Sequence, residues 1–158
     1  PLVLFGHSLG ALLAYETARH LLAAGARRPS RLLVASRQSP DWLPVCAGLP
    51  PLTDRALRDY LADLAGTPRE VLDNPAMMDL TVPILQADLE LILDYRHRYQ
   101  QPLEIPVVAF GALEDRQVSY ESLLAWRRVS GARFSLRMID GGHFAVMGQI
   151  ESVLRALG

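Results

Sequence analysis

The chain has a single cysteine, Cys46, so no intrachain disulfide framework can hold it together. Lysine is absent altogether. All sixteen basic residues are arginine, and against seventeen acidic ones they leave a net charge of −1. No basic run exists, which argues against nucleic acid or an anionic membrane surface as a partner. No segment reaches the roughly 18 apolar residues of a membrane span, and no signal-peptide pattern, repeat or low-complexity tract is present. The chain opens on Pro1 rather than methionine, at the edge of an apolar run. That start reads as a strand within a sheet already under way, so further strands are expected upstream of Pro1. Half of the 158 residues are hydrophobic, enough for the core of one domain.

The run Leu2–Val3–Leu4–Phe5 stops abruptly at Gly6–His7–Ser8–Leu9–Gly10, and a helical pattern begins at once. Gly-x-Ser-x-Gly between strand and helix is a nucleophile elbow, a tight turn that exposes the serine hydroxyl. Gly6 and Gly10 are expected to leave room for the turn, because a Cβ at either place would crowd the facing backbone. The turn also places the Leu9 N–H where it can donate to a developing oxyanion. The plainer alternative is a serine that merely N-caps a buried helix.

Beyond the elbow, Ala11, Ala14, Tyr15, Ala18 and Leu22 share one helical face, with Gly25 closing the helix. Arg31–Ala35 reads as a second buried strand, so the pair is parallel with a right-handed crossover. From Ser39 to Pro102 the rhythm breaks. Pro40, Pro44, Gly48, Pro50 and Pro51 are followed by an apolar stripe of Leu57, Tyr60, Leu61 and Leu64. Thr67–Pro68–Arg69–Glu70 predicts a capping box with proline at the first helical position. Leu85, Leu89, Ile92 and Leu93 form another stripe, ended by the polar patch Tyr95–Gln101. With no strand of its own, the stretch from about 40 to 102 reads as a helical lid lined by Leu57, Leu61, Met77, Met78 and Leu89. The α/β pattern then returns: a strand Ile105–Phe110 starting near Pro106, a helix Ser119–Val129 and a half-buried strand Phe134–Met138. After Gly141–Gly142–His143–Phe144, a last helix is striped by Met147, Ile150, Leu154 and Leu157.

A serine hydroxyl needs a base to take its proton, and the base needs a third group to orient it. When such groups follow in the order serine, acid, histidine, the acid and the histidine sit on loops after later strands. Asp115 follows the strand Ile105–Phe110, and His143 follows the strand ending at Met138, flanked by glycines that let its loop turn back. Glu114 and Asp140 are rival acids. His7 adjoins the nucleophile in sequence and is expected to point elsewhere; His20, in a helix, and His97, at the arginine-rich end of the lid, are expected to be solvated. Cys46 has no histidine partner in a motif and is expected to be a bystander.

Four stretches resemble the type II thioesterases of nonribosomal peptide and polyketide assembly lines: Leu4–Gly10, Gly66–Thr67–Pro68–Arg69–Glu70–Val71–Leu72, Gly111–Val118 with Trp126–Arg127, and Gly141–Phe144. The lid stretch discriminates most, because generic esterases share the elbow but not Gly-Thr-Pro-Arg-Glu. The resemblance implies an α/β-hydrolase fold, a mostly parallel sheet with helices on both faces and a helical lid insertion. It makes Ser8 the nucleophile, Asp115 the acid and His143 the base. It implies a cytoplasmic enzyme needing neither metal nor redox cofactor, which clears aberrant acyl groups from the phosphopantetheine arm of acyl or peptidyl carrier proteins. It further implies that the second oxyanion donor lies upstream of Pro1, so that residues 1–158 alone would be inactive. The other readings are a different α/β-hydrolase (an esterase or a releasing thioesterase domain) and a non-catalytic carrier-binding module. Oxyester against thioester preference, and labelling of Ser8 by a fluorophosphonate, separate the three.

Overall fold

The computed structural model describes residues 1–42 and 49–151. Four strands, β1 (Val3–His7), β2 (Arg31–Ala35), β3 (Val107–Ala112) and β4 (Phe134–Ile139), form one wholly parallel sheet in the order β1-β2-β3-β4. The near-continuous apolar runs follow from burial on both faces of such a sheet. Along β2, Leu32 and Val34 join one core and Leu33 and Ala35 the other. The first core lies under α1 (Leu9–Ala23), whose Ala11, Ala14, Tyr15 and Ala18 pack on the sheet beside Trp126. The second gathers Phe110 with Val146 of the short α6 (Ala145–Gly148). The expected α/β architecture is therefore present.

Several boundaries move. β1 continues to His7, which pairs with Ala35, so the strand runs to the very turn that carries Ser8. Pro106 lacks an N–H, and β3 begins just after it and extends through Gly111 and Ala112, paired with Met138 and Ile139. The helix expected over Ser119–Val129 is α5 (Tyr120–Leu124), capped by the Ser119 hydroxyl, and a 3₁₀ turn over Ala125–Val129. Leu154 and Leu157, expected on the last helix, lie outside the described residues, as do Pro44, Cys46 and Gly48. Gly25 has φ 61°, and its N–H bonds Leu22 O while Ala26 N–H bonds Leu21 O, the paired bonds of a Schellman ending.

Between β2 and β3 stand α2 (Asp54–Asp63), α3 (Arg69–Leu72) and α4 (Pro75–Asp94). They bury their own core of Leu57, Leu61, Met78, Val82, Leu89 and Ile92. The predicted capping box is absent: Pro68 itself occupies the N-cap of α3, with no side-chain cap. The caps fall elsewhere, on Thr53 for α2 and on Asn74 for α4, where Pro75 takes the first turn. A proline ring sets φ for a helix start but offers no acceptor, so side-chain capping passes to positions that have one.

The return segment after α4 is tied to α1. Tyr95 Oη and Tyr99 Oη donate to the two carboxylate oxygens of Glu16, at 2.6 and 2.7 Å. Arg19 donates to Tyr15 Oη and to the Gln101 carbonyl. His97, expected in solvent, is half-buried instead, its Nε2 3.1 Å from Tyr15 Oη. The polar patch is thus a fastening between the helical layer and α1.

Candidate active site

Ser8 adopts φ 54° and ψ −123° between β1 and α1. Its N–H donates to Ala35 O at 2.9 Å, and its carbonyl accepts from Ala11 N–H at 3.0 Å, so the backbone holds the turn from both sides. A Cβ at Gly6 would sit 2.0 Å from Gly10 O, which leaves only glycine possible there. The matching expectation for Gly10 does not hold, because a Cβ built there meets nothing within 4 Å. The Ser8 side chain makes no capping bond to α1, contrary to the plain helix-cap alternative. Leu9 is the first residue of α1, where backbone N–H groups lack intrahelical acceptors.

The acid loop and the histidine loop are laced together. Leu113 N–H bonds Ile139 O at 2.9 Å and Glu114 N–H bonds Gly141 O at 3.0 Å. Gly141 takes φ 108°, which turns the second loop back over the sheet. In consequence His143 Nδ1 donates to Asp115 Oδ2 at 2.9 Å, and the two side chains are 7% and 1% exposed. The other carboxylate oxygen of Asp115 accepts from Gln117 N–H at 2.9 Å. Glu114 and Asp140 are exposed. His20 is exposed on α1 as well. His7 is placed differently from expectation: its Nε2–H donates to the backbone carbonyl of His143 at 2.8 Å. Burial holds its imidazole below the ordinary value near 6.5, opposed by that hydrogen bond.

A cavity of about 90 Å³ opens on Ser8 and His143. The loop after β2 contributes Ser36, Arg37 and Gln38 to its wall, and the helical layer contributes Tyr60, Leu64, Leu85, Leu89 and Ile92. Of the five side chains expected to line the lid, only Leu89 is on this wall. Leu57, Leu61 and Met78 are buried inside the helical layer, and Met77 is 46% exposed. The sequence stripe of α2 contains two i, i+4 rows: Leu57 and Leu61 face α4, while Tyr60 and Leu64 face the cavity. That doubled row is the signal by which Tyr60 and Leu64 could have been found. Tyr60 Oη donates to Gln117 Oε1 at 2.5 Å, joining the helical layer to the acid loop. A second, more open space of about 480 Å³ lies beyond that bond and also reaches Asp115 and His143.

The fold finds a counterpart among known proteins. A model of the thioesterase domain family matches residues 1–158. The chain belongs to the thioesterase family. It is 35% identical over 144 residues to the gramicidin S biosynthesis protein GrsT of Aneurinibacillus migulanus, covering 91% of this chain and 56% of that protein. The RedJ thioesterase of the prodiginine pathway of Streptomyces coelicolor superposes with a TM-score of 0.82 at 36% identity, covering 98% of this chain and 61% of that one. The type II thioesterase BorB of the borrelidin cluster also gives 0.82, at 30% identity over 99% of this chain and 64% of that one. The chain thus spans less than two thirds of the length of each of these relatives.

Gly66, which opens the Gly-Thr-Pro stretch of this thioesterase domain, packs against the histidine loop. A Cβ on Gly66 would lie 2.2 Å from Phe144 Cε2, so the ring is seated directly on the glycine. Phe144 adjoins His143, their rings edge to face at 5.3 Å. Gly66→Ala must therefore push the Phe144 ring, and with it the histidine loop. We expect turnover to fall about tenfold with the fold retained, since small misplacements of catalytic groups cost up to about 100-fold. Comparison of kcat with the circular dichroism of the variant checks this.

Proposed function

We propose that residues 1–158 lie within the α/β-hydrolase domain of a serine thioesterase, with a lid of about 40–102, that hydrolyses acyl groups from the phosphopantetheine arm of carrier proteins in nonribosomal peptide or polyketide synthesis. It works in the cytoplasm beside the synthase and clears misprimed arms. The observation that carries the reading is His143, bonded at 2.9 Å to the buried Asp115 carboxylate, lining one cavity with the elbow serine. In this proposal Ser8 Oγ attacks the thioester carbonyl while His143 Nε2 takes its proton. Asp115 keeps the imidazole proton on Nδ1 and balances the charge that His143 gains. The Leu9 N–H donates to the oxyanion. Collapse breaks the C–S bond, and His143 returns the proton to the departing pantetheine sulfur. Water then gives up a proton to His143 and attacks the acyl-Ser8 ester; on collapse His143 returns that proton to Ser8 Oγ, which releases the carboxylic acid and the free serine.

The helical layer acts here as the gate. Its own core supports a piece that holds together as a body, its Tyr60–Gln117 bond latches it to the acid loop, and its apolar side chains wall the space next to Ser8. The test is a fluorophosphonate probe combined with acyl-pantetheine and p-nitrophenyl ester substrates. Labelling confined to Ser8, with the thioester preferred, is expected. An unlabelled serine would reject catalysis, and oxyester preference would move the protein to the esterases.

A further inference from the structure

Two side chains converge on one backbone oxygen. The His143 carbonyl accepts from His7 Nε2–H at 2.8 Å and from Ser36 Oγ–H, also at 2.8 Å. His7 is the last residue of β1 and is bonded directly to Ser8, while Ser36 immediately follows β2. The ends of two paired strands thus grip the main chain of the residue whose ring Asp115 holds.

The grip is built into the fold. Ser36 is 1% exposed and has φ 49°, a conformation that side-chain-bearing residues adopt sparingly. Its N–H is spent on Phe110 O at 3.0 Å, and its hydroxyl is spent on His143. The His7 ring packs edge to face on the His143 ring at 5.0 Å and against Phe144 at 5.1 Å. A carbonyl oxygen has two lone pairs, and both are used here, so the loop cannot shift without abandoning a buried hydrogen bond. Gly141 and Gly142 give that loop little stiffness of its own.

We propose that His7 and Ser36 are positioning residues, a two-donor clamp on the His143 carbonyl that sets the separation between the Ser8 hydroxyl and the His143 ring. The inference rests on Ser8 and His143 being nucleophile and base. Because His7 and Ser8 share a peptide bond, the clamp refers the base to the nucleophile through a single residue.

Three variants of the full protein test it. His7→Phe keeps a ring and removes the donor, His7→Gln restores an N–H of similar reach, and Ser36→Ala deletes only a hydroxyl. Rates are counted per active site by titrating Ser8 with a fluorophosphonate, which separates misplacement from a smaller folded fraction. His7→Phe should lower kcat per site about 10- to 100-fold, with KM for acyl-pantetheine within about twofold. His7→Gln should recover most of the loss, and Ser36→Ala should fall between Gln and Phe. In the folded parent, ¹⁵N NMR should find His7 protonated on Nε2, a readout independent of any variant. Parental kcat in either His7→Phe or Ser36→Ala overturns the two-donor clamp, as does a Gln variant no better than Phe or a His7 ring protonated on Nδ1 alone. His143→Ala is the control. If it is inactive while His7→Phe is unimpaired, only the clamp fails; if His143→Ala turns over like the parent, the assigned base fails and the clamp with it.

Discussion

In the full protein, Ser8→Ala should lower kcat for acyl-pantetheine hydrolysis by about 10⁶-fold, the scale of loss when the nucleophile of a serine-protease triad is removed. The fold should survive. Ser8 Oγ makes no capping bond to α1, so its removal strands no donor of the helix. Alanine keeps the Cβ that already tolerates φ 54° at this turn. The Leu9 N–H and the cavity remain, and in the triad precedent such features alone sustain about 10³–10⁴ over the uncatalysed rate. Melting temperature and turnover, measured on the same preparation, provide the check. A variant within tenfold of the parent would remove Ser8 from the chemistry.

Asp115→Asn is expected to cost about 10⁴-fold in kcat, the loss seen when the acid of a well-studied triad becomes an amide. The geometry here dictates the outcome. One oxygen of Asp115 accepts from Gln117 N–H at 2.9 Å and the other from His143 Nδ1 at 2.9 Å. An asparagine must keep its oxygen toward the Gln117 N–H, which turns its NH₂ toward His143. That forces the imidazole proton onto Nε2, and the ring can no longer accept the serine proton. Glu114→Gln and Asp140→Asn alter exposed side chains and should leave kcat within about twofold, as surface substitutions usually do. A larger loss from Asp140→Asn than from Asp115→Asn would reassign the acid.

What could be read from the residues in order was whatever depends on a few neighbours. The elbow is of this kind: strand, Gly6, Ser8 and helix succeed each other within ten residues, and the steric reason for Gly6 is its contact with Gly10, four residues on. β2 was legible to its exact ends as the short apolar run Arg31–Ala35. The pairing of Asp115 with His143 was legible too, because each follows a strand and the two side chains are bonded in space.

Only the tertiary structure decided which face of each helix meets what. Leu57 and Tyr60 look equivalent in a stripe, yet one enters the core of the helical layer and the other the cavity wall. Asn74, rather than the Thr-Pro-Arg-Glu box, supplies a side-chain cap, and His97 leaves solvent for Tyr15. His7 was expected only to point away from Ser8, and where it points was not legible: it bonds a carbonyl 136 residues away. Local propensity acts over about one helical turn or one strand pair, so it predicts the elements and the turns between them. The meeting of His7, Ser36 and His143 is fixed by the parallel register, which sets His7 beside Ala35 and β3 between β2 and β4. That register is a property of the packed sheet, and no window of sequence contains it.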